Sequence, residues 1–291
     1  MYRVLRPFEF FEPTSLDEAI RLLNIHGDQA KVMAGGVDLV LKMRLRQRMP
    51  QYVVSLQKLP GLDYIDAGKG AGLRFGALVT LRSIELSAIV QNEWMFLYEA
   101  IHQISSVQVK TMGTAVGNLC VATPASDIAP VLFVLAARVK VTGADSEKVI
   151  PIEHLFVAAG KTILEPYEIV TEIAVPSLPT GTGGAFMKLA KTAADIAKVN
   201  AAVTVTVADE RCKEVRIALG SVAPTPIRVT EAEEILQGQK LSEKTIARAA
   251  EAAAESVTPI TDVRSTAIYR KEMVKVLVKD ALEKAVARAK A

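Results

Sequence analysis

The chain has few of the residues from which proteins build metal and redox centres. Its 291 residues include two cysteines and three histidines. Iron–sulfur clusters usually need four thiolates, and zinc sites need cysteine or histidine at short spacing. The sequence therefore excludes a cluster of its own, a disulfide framework and an obvious metal site.

Aromatic residues, net charge and long apolar runs are also scarce. Aromatics make up 5% of a sequence that is 50% hydrophobic, so small and branched aliphatic side chains must fill the core. A formal charge of +3 is too small to indicate nucleic-acid binding. The longest uncharged apolar run, Ile128 to Ala137, is too short to cross a bilayer. The opening segment lacks the apolar stretch of a secretion signal, so we expect a cytoplasmic protein.

Two glycine-bearing segments are the features most indicative of a ligand. The first lies between a predicted strand and a predicted helix. It comprises Lys31, Val32, Met33, Ala34, Gly35, Gly36, Val37 and Asp38. The second, far along the chain, contains Thr114, Gly117 and Asn118 and continues to Asp127. Glycine lets backbone N–H groups approach a phosphate, and a ligand held by both segments must be long, charged and polyhydroxylated, as FAD is.

Each of these residues also has an ordinary structural interpretation. A Gly-Gly turn commonly joins a strand to a helix, and Asp38 suits the first turn of that helix, which is the role we favour. Thr114, Gly117 and Asn118 offer a hydroxyl, a bare backbone and an amide to a ribityl chain or phosphate, but they are also turn residues. Asp127 fits either a ribityl hydroxyl or the cap of the next helix.

Periodicity and turn residues indicate how the chain is organised. Ser15 to Glu18 is a capping box for a helix that we expect to stop at Gly27. Asp66 to Gly72 is predicted to be a turn, and Thr111 to Asp127 an irregular functional loop. After the linker Pro176 to Gly184, strands precede helices, which favours an α+β domain with helices on one face of an antiparallel sheet.

Taken in order, these segments resemble the FAD-binding medium subunit of the molybdenum hydroxylase family, which includes xanthine dehydrogenase and aerobic carbon monoxide dehydrogenase. The resemblance covers nearly the whole chain, and it is carried by KVMAGGVDLV, TAVGNLCVATPASDIAPVL, FMKLAKTAADIAKVNAAV and DVRSTAIYRKEMVKVLVKDAL. It implies an α+β fold in three parts. These are a two-lobed FAD-binding domain of the vanillyl-alcohol-oxidase type over residues 1–176, divided near 55–60, a linker over 177–184, and a smaller α+β domain of the CO-dehydrogenase flavoprotein type over 185–291.

The resemblance also implies where a non-covalently bound FAD lies. The segment from Lys31 to Asp38 is expected along the pyrophosphate. The second loop contributes Thr114, Gly117 and Asn118. Asp127 is expected near the ribityl chain and Lys188 near the flavin ring, although Lys188 also fits a solvated strand position. No catalytic side chain is expected.

The loops depart from the family pattern at a few positions. The second loop commonly reads Thr-x-Gly-Gly-Asn, and here Val116 replaces the first glycine; because valine disfavours positive φ, the loop path is expected to differ locally. Val37 stands where the family often has threonine. Lys191 and Thr192 replace an arginine pair. These changes leave FAD binding expected but bring individual contacts into question.

In this family a molybdenum cofactor in a large subunit oxidises the substrate, and electrons pass through two [2Fe–2S] clusters in a small subunit to FAD. The resemblance implies that this chain is the FAD-carrying electron-transfer subunit, delivering electrons to an acceptor such as NAD within a dimer of heterotrimers. Two alternatives stay open. One is a stand-alone FAD-dependent oxidoreductase of the UDP-N-acetylenolpyruvoylglucosamine reductase type. The other is a non-catalytic assembly subunit with a degenerate flavin site.

Overall fold

The computed structural model of the protein describes residues 4–68 and 72–291. The centre of the predicted turn between Asp66 and Gly72, residues 69–71, lies outside the described residues. The strands on either side of it end at Gly68 and begin at Gly72. Among the helices in the described part of the chain, none is long and apolar enough to cross a membrane.

The first lobe is a small parallel sheet with two helices. Its elements in chain order are β1 (Glu9–Phe11), α1 (Leu16–His26), β2 (Ala30–Met33), α2 (Val37–Arg44) and β3 (Tyr52–Ser55). The strand order is β1-β3-β2, and both pairings are parallel. The Ser15 side chain accepts a hydrogen bond from the Glu18 N–H, and Gly27 follows the last residue of α1. These contacts confirm the predicted start and stop of this helix.

The second lobe combines a five-stranded antiparallel sheet with six short helices. The sheet contains β4 (Ile65–Gly68), β5 (Gly72–Gly76), β6 (Arg138–Thr142), β7 (Glu147–Pro151) and β10 (Ile169–Val175), in the order β4-β5-β10-β6-β7. A separate ladder joins β8 (Phe156–Ala158) to β9 (Lys161–Thr162). The helices are α3 (Leu81–Leu86), α4 (Ala88–Glu93), α5 (Met95–His102), α6 (Val107–Met112), α7 (Ala115–Cys120) and α8 (Ile128–Val134).

The prediction of an irregular loop from Thr111 to Asp127 is wrong as far as Cys120, and residues 121–127 are irregular as predicted. The end of α6 and the whole of α7 fall inside it. The Thr114 hydroxyl caps α7 by accepting a hydrogen bond from the Gly117 N–H at 2.9 Å. Because α7 has only six residues, one of them glycine, its apolar positions do not repeat often enough to reveal a helical period.

The C-terminal domain is a four-stranded antiparallel sheet with three helices. Its elements are β11 (Thr182–Leu189), β12 (Val199–Ala208), β13 (Arg211–Gly220), β14 (Ile227–Arg228), α9 (Thr230–Leu236), α10 (Glu243–Glu255) and α11 (Ala267–Ala289). The strand order is β11-β12-β13-β14. This arrangement confirms the α+β prediction. Strand β11 begins at Thr182, within the segment that the sequence assigns to the linker.

The C-terminal sheet is buried on both faces, which explains why β12 is mainly apolar, with Asn200, Thr204 and Thr206 as its polar residues. Ala201 and Val203 belong to the core that the sheet forms with its own helices. Ala202, between them, belongs instead to the core of the second lobe, together with Phe186 and Ala218 from the neighbouring strands. Because side chains alternate along a strand, the even-numbered positions of β12 face the second lobe.

Candidate functional site

The two glycine-bearing segments lie against each other although they are far apart in sequence. A Cβ atom on Gly35 would overlap the carbonyl oxygen of Met112 and would lie 3.1 Å from the Gly113 nitrogen. Neither backbone group can yield as a flexible side chain would, so only glycine permits this approach. Gly35 therefore joins the first segment to the second, just before Thr114.

Gly36 meets a different requirement. It is the N-cap of α2 and has a φ of +70°, in the left-handed region that favours glycine. A Cβ there would lie 3.2 Å from Met33 Sδ, which belongs to a flexible side chain. Glycine has no side chain, so Gly36 makes no hydrogen bond to the first N–H groups of α2. N–H groups without a partner at a helix N-terminus favour the binding of an anion.

The other residues of the first segment are distributed between a strand and a helix. Lys31, Val32 and Met33 lie in β2, and Ala34 follows it. The Ala34 carbonyl accepts a hydrogen bond from Gln57 Nε2 at 3.2 Å. Val37 and Asp38 open α2, where Asp38 pairs with Lys42 Nζ at 2.7 Å. This i,i+4 ion pair agrees with the structural role favoured for Asp38.

The second segment is a capped helix rather than an open loop. A Cβ on Gly117 would lie 2.8 Å from Thr114 Oγ1, so this glycine accommodates the cap. Val116 is buried in α7 and is absent from the described non-glycine residues with positive φ. Val116 therefore has ordinary helical backbone, and the local difference in loop path from the family stays a prediction. Asn118 Oδ1 accepts a hydrogen bond from Ser126 Oγ at 2.7 Å, which ties α7 to the start of α8.

Asp127 and Lys188 form a buried ion pair between the two domains. Lys188 Nζ lies 2.6 Å from Asp127 Oδ2 and donates to the Gln103 carbonyl at 3.0 Å. The Lys188 side chain is 3% exposed, so the alternative of a solvated strand lysine is wrong. Asp127 occupies the N-cap position of α8, but its side chain does not cap that helix. Its carboxylate is directed to Lys188 instead.

Asn200 completes this cluster and was not predicted from the sequence. Its Nδ2 donates to Asp127 Oδ1 at 2.8 Å and to the Ser126 carbonyl at 3.1 Å. The strand register explains the arrangement, because Lys188 of β11 and Asn200 of β12 are directly paired. The signal that could have revealed Asn200 is a lone amide in an apolar strand, on the same face as a neighbouring lysine.

Burial and hydrogen bonding act in opposite directions on the Asp127 carboxyl. Burial raises its pKa above the ordinary value, and the charge of Lys188 together with the hydrogen bonds from Lys188 and Asn200 opposes part of that rise. An ionised carboxylate has about four lone-pair sites, so it can accept these two donors and a further hydroxyl.

This set of donors and acceptors fits a dinucleotide. Contacts between Gly35 and Met112, within α7, between Asn118 and Ser126, and between Asp127 and Lys188 are linked through adjacent residues of the chain, and together they connect the uncapped end of α2 to the buried ion pair. The helix end suits a pyrophosphate, and the Thr114 hydroxyl can donate to a ligand while it accepts from Gly117. The carboxylate suits ribityl hydroxyls.

Comparison with known proteins shows the family to which the chain belongs. Residues 6–178 match the family described as the FAD binding domain in molybdopterin dehydrogenase, and residues 184–285 match the CO dehydrogenase flavoprotein C-terminal domain. The chain is 32% identical to the carbon monoxide dehydrogenase medium chain of Hydrogenophaga pseudoflava, over 97% of this chain and 98% of that one. It is 33% identical to the 6-hydroxypseudooxynicotine dehydrogenase complex subunit alpha of Paenarthrobacter nicotinovorans, over 97% and 96% of the two chains.

A solved structure agrees over the same length. It is that of the Hydrogenophaga pseudoflava carbon monoxide dehydrogenase lacking the Mo-pyranopterin moiety, with a TM-score of 0.95, 32% identity, and coverage of 98% of this chain and 99% of that one. Fold and site together define an FAD-binding subunit of an oxidoreductase. The chain belongs to the FAD-binding medium subunits of the molybdenum hydroxylase family. These similarities confirm the resemblance seen in the sequence and support it over the stand-alone reductase and the degenerate assembly subunit.

Proposed function

We propose that this chain holds FAD non-covalently and passes electrons from the [2Fe–2S] clusters of a small partner subunit to an acceptor such as NAD. The observation that carries the proposal is the connection, through contacts and adjacent residues, of the α2 N-terminus with the Asp127–Lys188 pair. Bound FAD would supply the redox chemistry, and this chain would bind and orient it.

Different residues would contact different parts of FAD. Lys31 to Asp38 would line the pyrophosphate, with the free N–H groups of α2 as donors. Thr114, Gly117 and Asn118 would line the second side of the cofactor. Asp127 would accept hydrogen bonds from the ribityl chain. Lys188 would lie near the flavin ring and hold Asp127 in place.

The partners that we propose are a large molybdenum-cofactor subunit and a small [2Fe–2S] subunit, arranged as a dimer of heterotrimers. Support comes from the relatives, which are named as a medium chain and as a subunit of a dehydrogenase complex. We propose the same domain limits as the sequence indicates, residues 1–176, 177–184 and 185–291. We also propose a cytoplasmic location, since the cysteines Cys120 and Cys212 are both free, as is usual in a reducing compartment.

The test is to purify the native complex from the source organism. Its mass, its flavin, iron and molybdenum contents, and its reactivity with NAD are then measured together. The expected result is one FAD, four irons and one molybdenum for each copy of this chain, with a mass of two heterotrimers. A monomer that turns over a substrate without partners would contradict the proposal.

A further inference from the structure

We propose that Asn200 is a positioning residue of the flavin site and that it acts on the cofactor through Asp127. The inference rests on the proposed function, because it takes Asp127 to be a contact of FAD. It goes beyond that function in assigning a role to the C-terminal domain at the ribityl end of the site.

The geometry gives each oxygen of one carboxylate its own donor. Asp127 Oδ1 accepts from Asn200 Nδ2 at 2.8 Å, and Asp127 Oδ2 accepts from Lys188 Nζ at 2.6 Å. Asn200 has no exposed surface and Asp127 has 6%. With donors on both oxygens, the carboxylate cannot rotate freely, so its remaining lone pairs keep a fixed direction.

Two backbone features beside Asn200 leave room for its side chain and hold the segment that it contacts. Directly opposite Asn200 on β13 is Gly220, where a Cβ would overlap Asn200 Oδ1. The next residue, Ser221, donates its N–H to the Pro124 carbonyl at 2.7 Å. Four hydrogen bonds therefore attach the segment from Pro124 to Asp127 to the C-terminal domain, and Asn200 donates two of them, one to the Ser126 carbonyl and one to the carboxylate.

Strand β12 also contains a matched control. Thr204 lies on the same face, is buried, and donates to the Val134 carbonyl of α8 at 3.1 Å. Like Asn200, it makes a buried hydrogen bond between the domains, but it does not contact Asp127. A purely structural role for Asn200 would give Asn200→Leu and Thr204→Val similar consequences.

The first experiment measures FAD affinity in the holoprotein complex after the flavin has been removed and restored. Asn200→Leu removes the donor at similar volume, and we expect the FAD dissociation constant to rise at least about tenfold, the usual effect of losing a hydrogen bond to a charged group. Thr204→Val is expected to leave it within about twofold. Asn200→Ser, which is too short to reach Asp127, gives a second test if the leucine variant does not fold.

The second experiment is a double-mutant cycle with Asp127→Asn. If Asn200 acts through Asp127, Asn200→Leu has little further effect on FAD affinity once the carboxylate is gone. If the losses of FAD binding free energy in the two single variants simply add in the double variant, Asn200 acts through general stability and the inference is overturned.

The pH dependence of FAD affinity gives a third readout. The groups that face Asp127 are Lys188 from β11 and Asn200 from β12, with the Gln103 carbonyl beyond Lys188, and of these Lys188 carries a charge. Without Asn200 the anion of Asp127 loses a donor, so its pKa rises further. We expect the affinity of Asn200→Leu to begin falling at a higher pH, on acidification, than that of the wild type.

The outcomes separate the two proposals. If the wild-type complex contains no FAD, the proposed function fails and this inference fails with it. If the wild type binds FAD and neither Asn200→Leu nor Asn200→Ser differs from Thr204→Val in affinity and pH profile, only the role of Asn200 is overturned.

Discussion

Lys188 Nζ lies 2.6 Å from Asp127 Oδ2, and the two side chains are 3% and 7% exposed. The pair joins β11 of the C-terminal domain to the first residue before α8. It places a cation and an anion together at the predicted flavin site, so the site carries little net charge there. The effect of either residue on the cofactor therefore depends on the other.

Replacing Lys188 alone is expected to destabilise the protein strongly. Lys188→Met leaves the Asp127 carboxylate buried without its partner, which typically costs about 3–5 kcal/mol. Lys188→Met/Asp127→Asn removes both charges and should cost less than the single change. Urea unfolding of the wild type and both variants measures the free energy of unfolding. Equal losses of this free energy in the single and double variants would show that the two residues are not coupled.

The same two variants test the influence of the pair on the bound flavin. Lys188→Met leaves uncompensated negative charge near the proposed position of the flavin ring, so the flavin midpoint potential is expected to fall. In Lys188→Met/Asp127→Asn the site is neutral again, and the potential should return close to that of the wild type. Redox titration of flavin-loaded protein decides this. An unchanged potential in the single variant would place Lys188 too far from the ring to matter.

The contact between the two glycine-bearing segments predicts a large effect of a single methyl group. Gly35→Ala should separate the segments, since the new Cβ would overlap the Met112 carbonyl; we expect a loss of about 1–3 kcal/mol in stability and weaker FAD binding. Gly143→Ala is the control, because its Cβ would have ordinary contacts beginning at 3.5 Å. Unfolding curves and FAD titration of both variants measure their stability and FAD affinity. Similar values for Gly35→Ala and Gly143→Ala would contradict the close contact between Gly35 and Met112.

Gly36 needs a substitution that preserves its left-handed backbone. Asparagine tolerates positive φ better than other side chains, so Gly36→Asn tests obstruction with less strain than valine would introduce. Gly238→Asn is the matched control, with a φ of +72°, close to that of Gly36, and nothing within 4 Å of its Cβ. We expect similar stability losses but an FAD affinity at least about tenfold weaker for Gly36→Asn alone. Equal FAD affinity in both variants would mean that the turn is only a connection.

Asp262 makes a pH-dependent contribution to stability away from the flavin site. Burial would raise its pKa, but the Arg264 N–H and the Arg270 guanidinium, the latter 2.7 Å away, lower it to about 2. A pKa below the ordinary 3.8 stabilises the fold above that pH, and the benefit is lost as the pH falls towards 2. Asp262→Asn should therefore be less stable than wild type at pH 7, with a difference that shrinks below about pH 4. Unfolding curves of both proteins between pH 7 and pH 2 measure this difference in stability. A difference that stays unchanged down to pH 2 would contradict the proposed role of the Asp262 carboxylate.

Local signals predicted much of the fold. The residues that begin and end α1, Ser15 and Gly27, are strong signals because they act within a few residues. The six-residue helices α6 and α7 were missed because they hold too few turns to show a period. The pairing of β5 with β10 was out of reach, since no local pattern identifies strands that are distant in sequence.

The candidate site shows the same difference between local sequence signals and contacts between distant residues. Gly35 and Gly36 were recognised as special, but their separate reasons, a close backbone contact and a left-handed φ, are visible only in three dimensions. Asn200 was missed because its importance comes from strand register with Lys188 and from contact with Asp127 in another domain. The local sequence shows a lone amide in β12, but it identifies neither the paired lysine nor the carboxylate in the other domain.

The flavin content of the purified protein tests the central claim most directly. After acid precipitation the supernatant is analysed for FAD by absorbance and chromatography, and the pellet for remaining flavin. The account predicts about one FAD per chain, all of it released into the supernatant because it is held by hydrogen bonds and charge. Flavin that stays with the pellet would contradict non-covalent binding, and protein isolated from the native complex without any flavin would contradict the account as a whole.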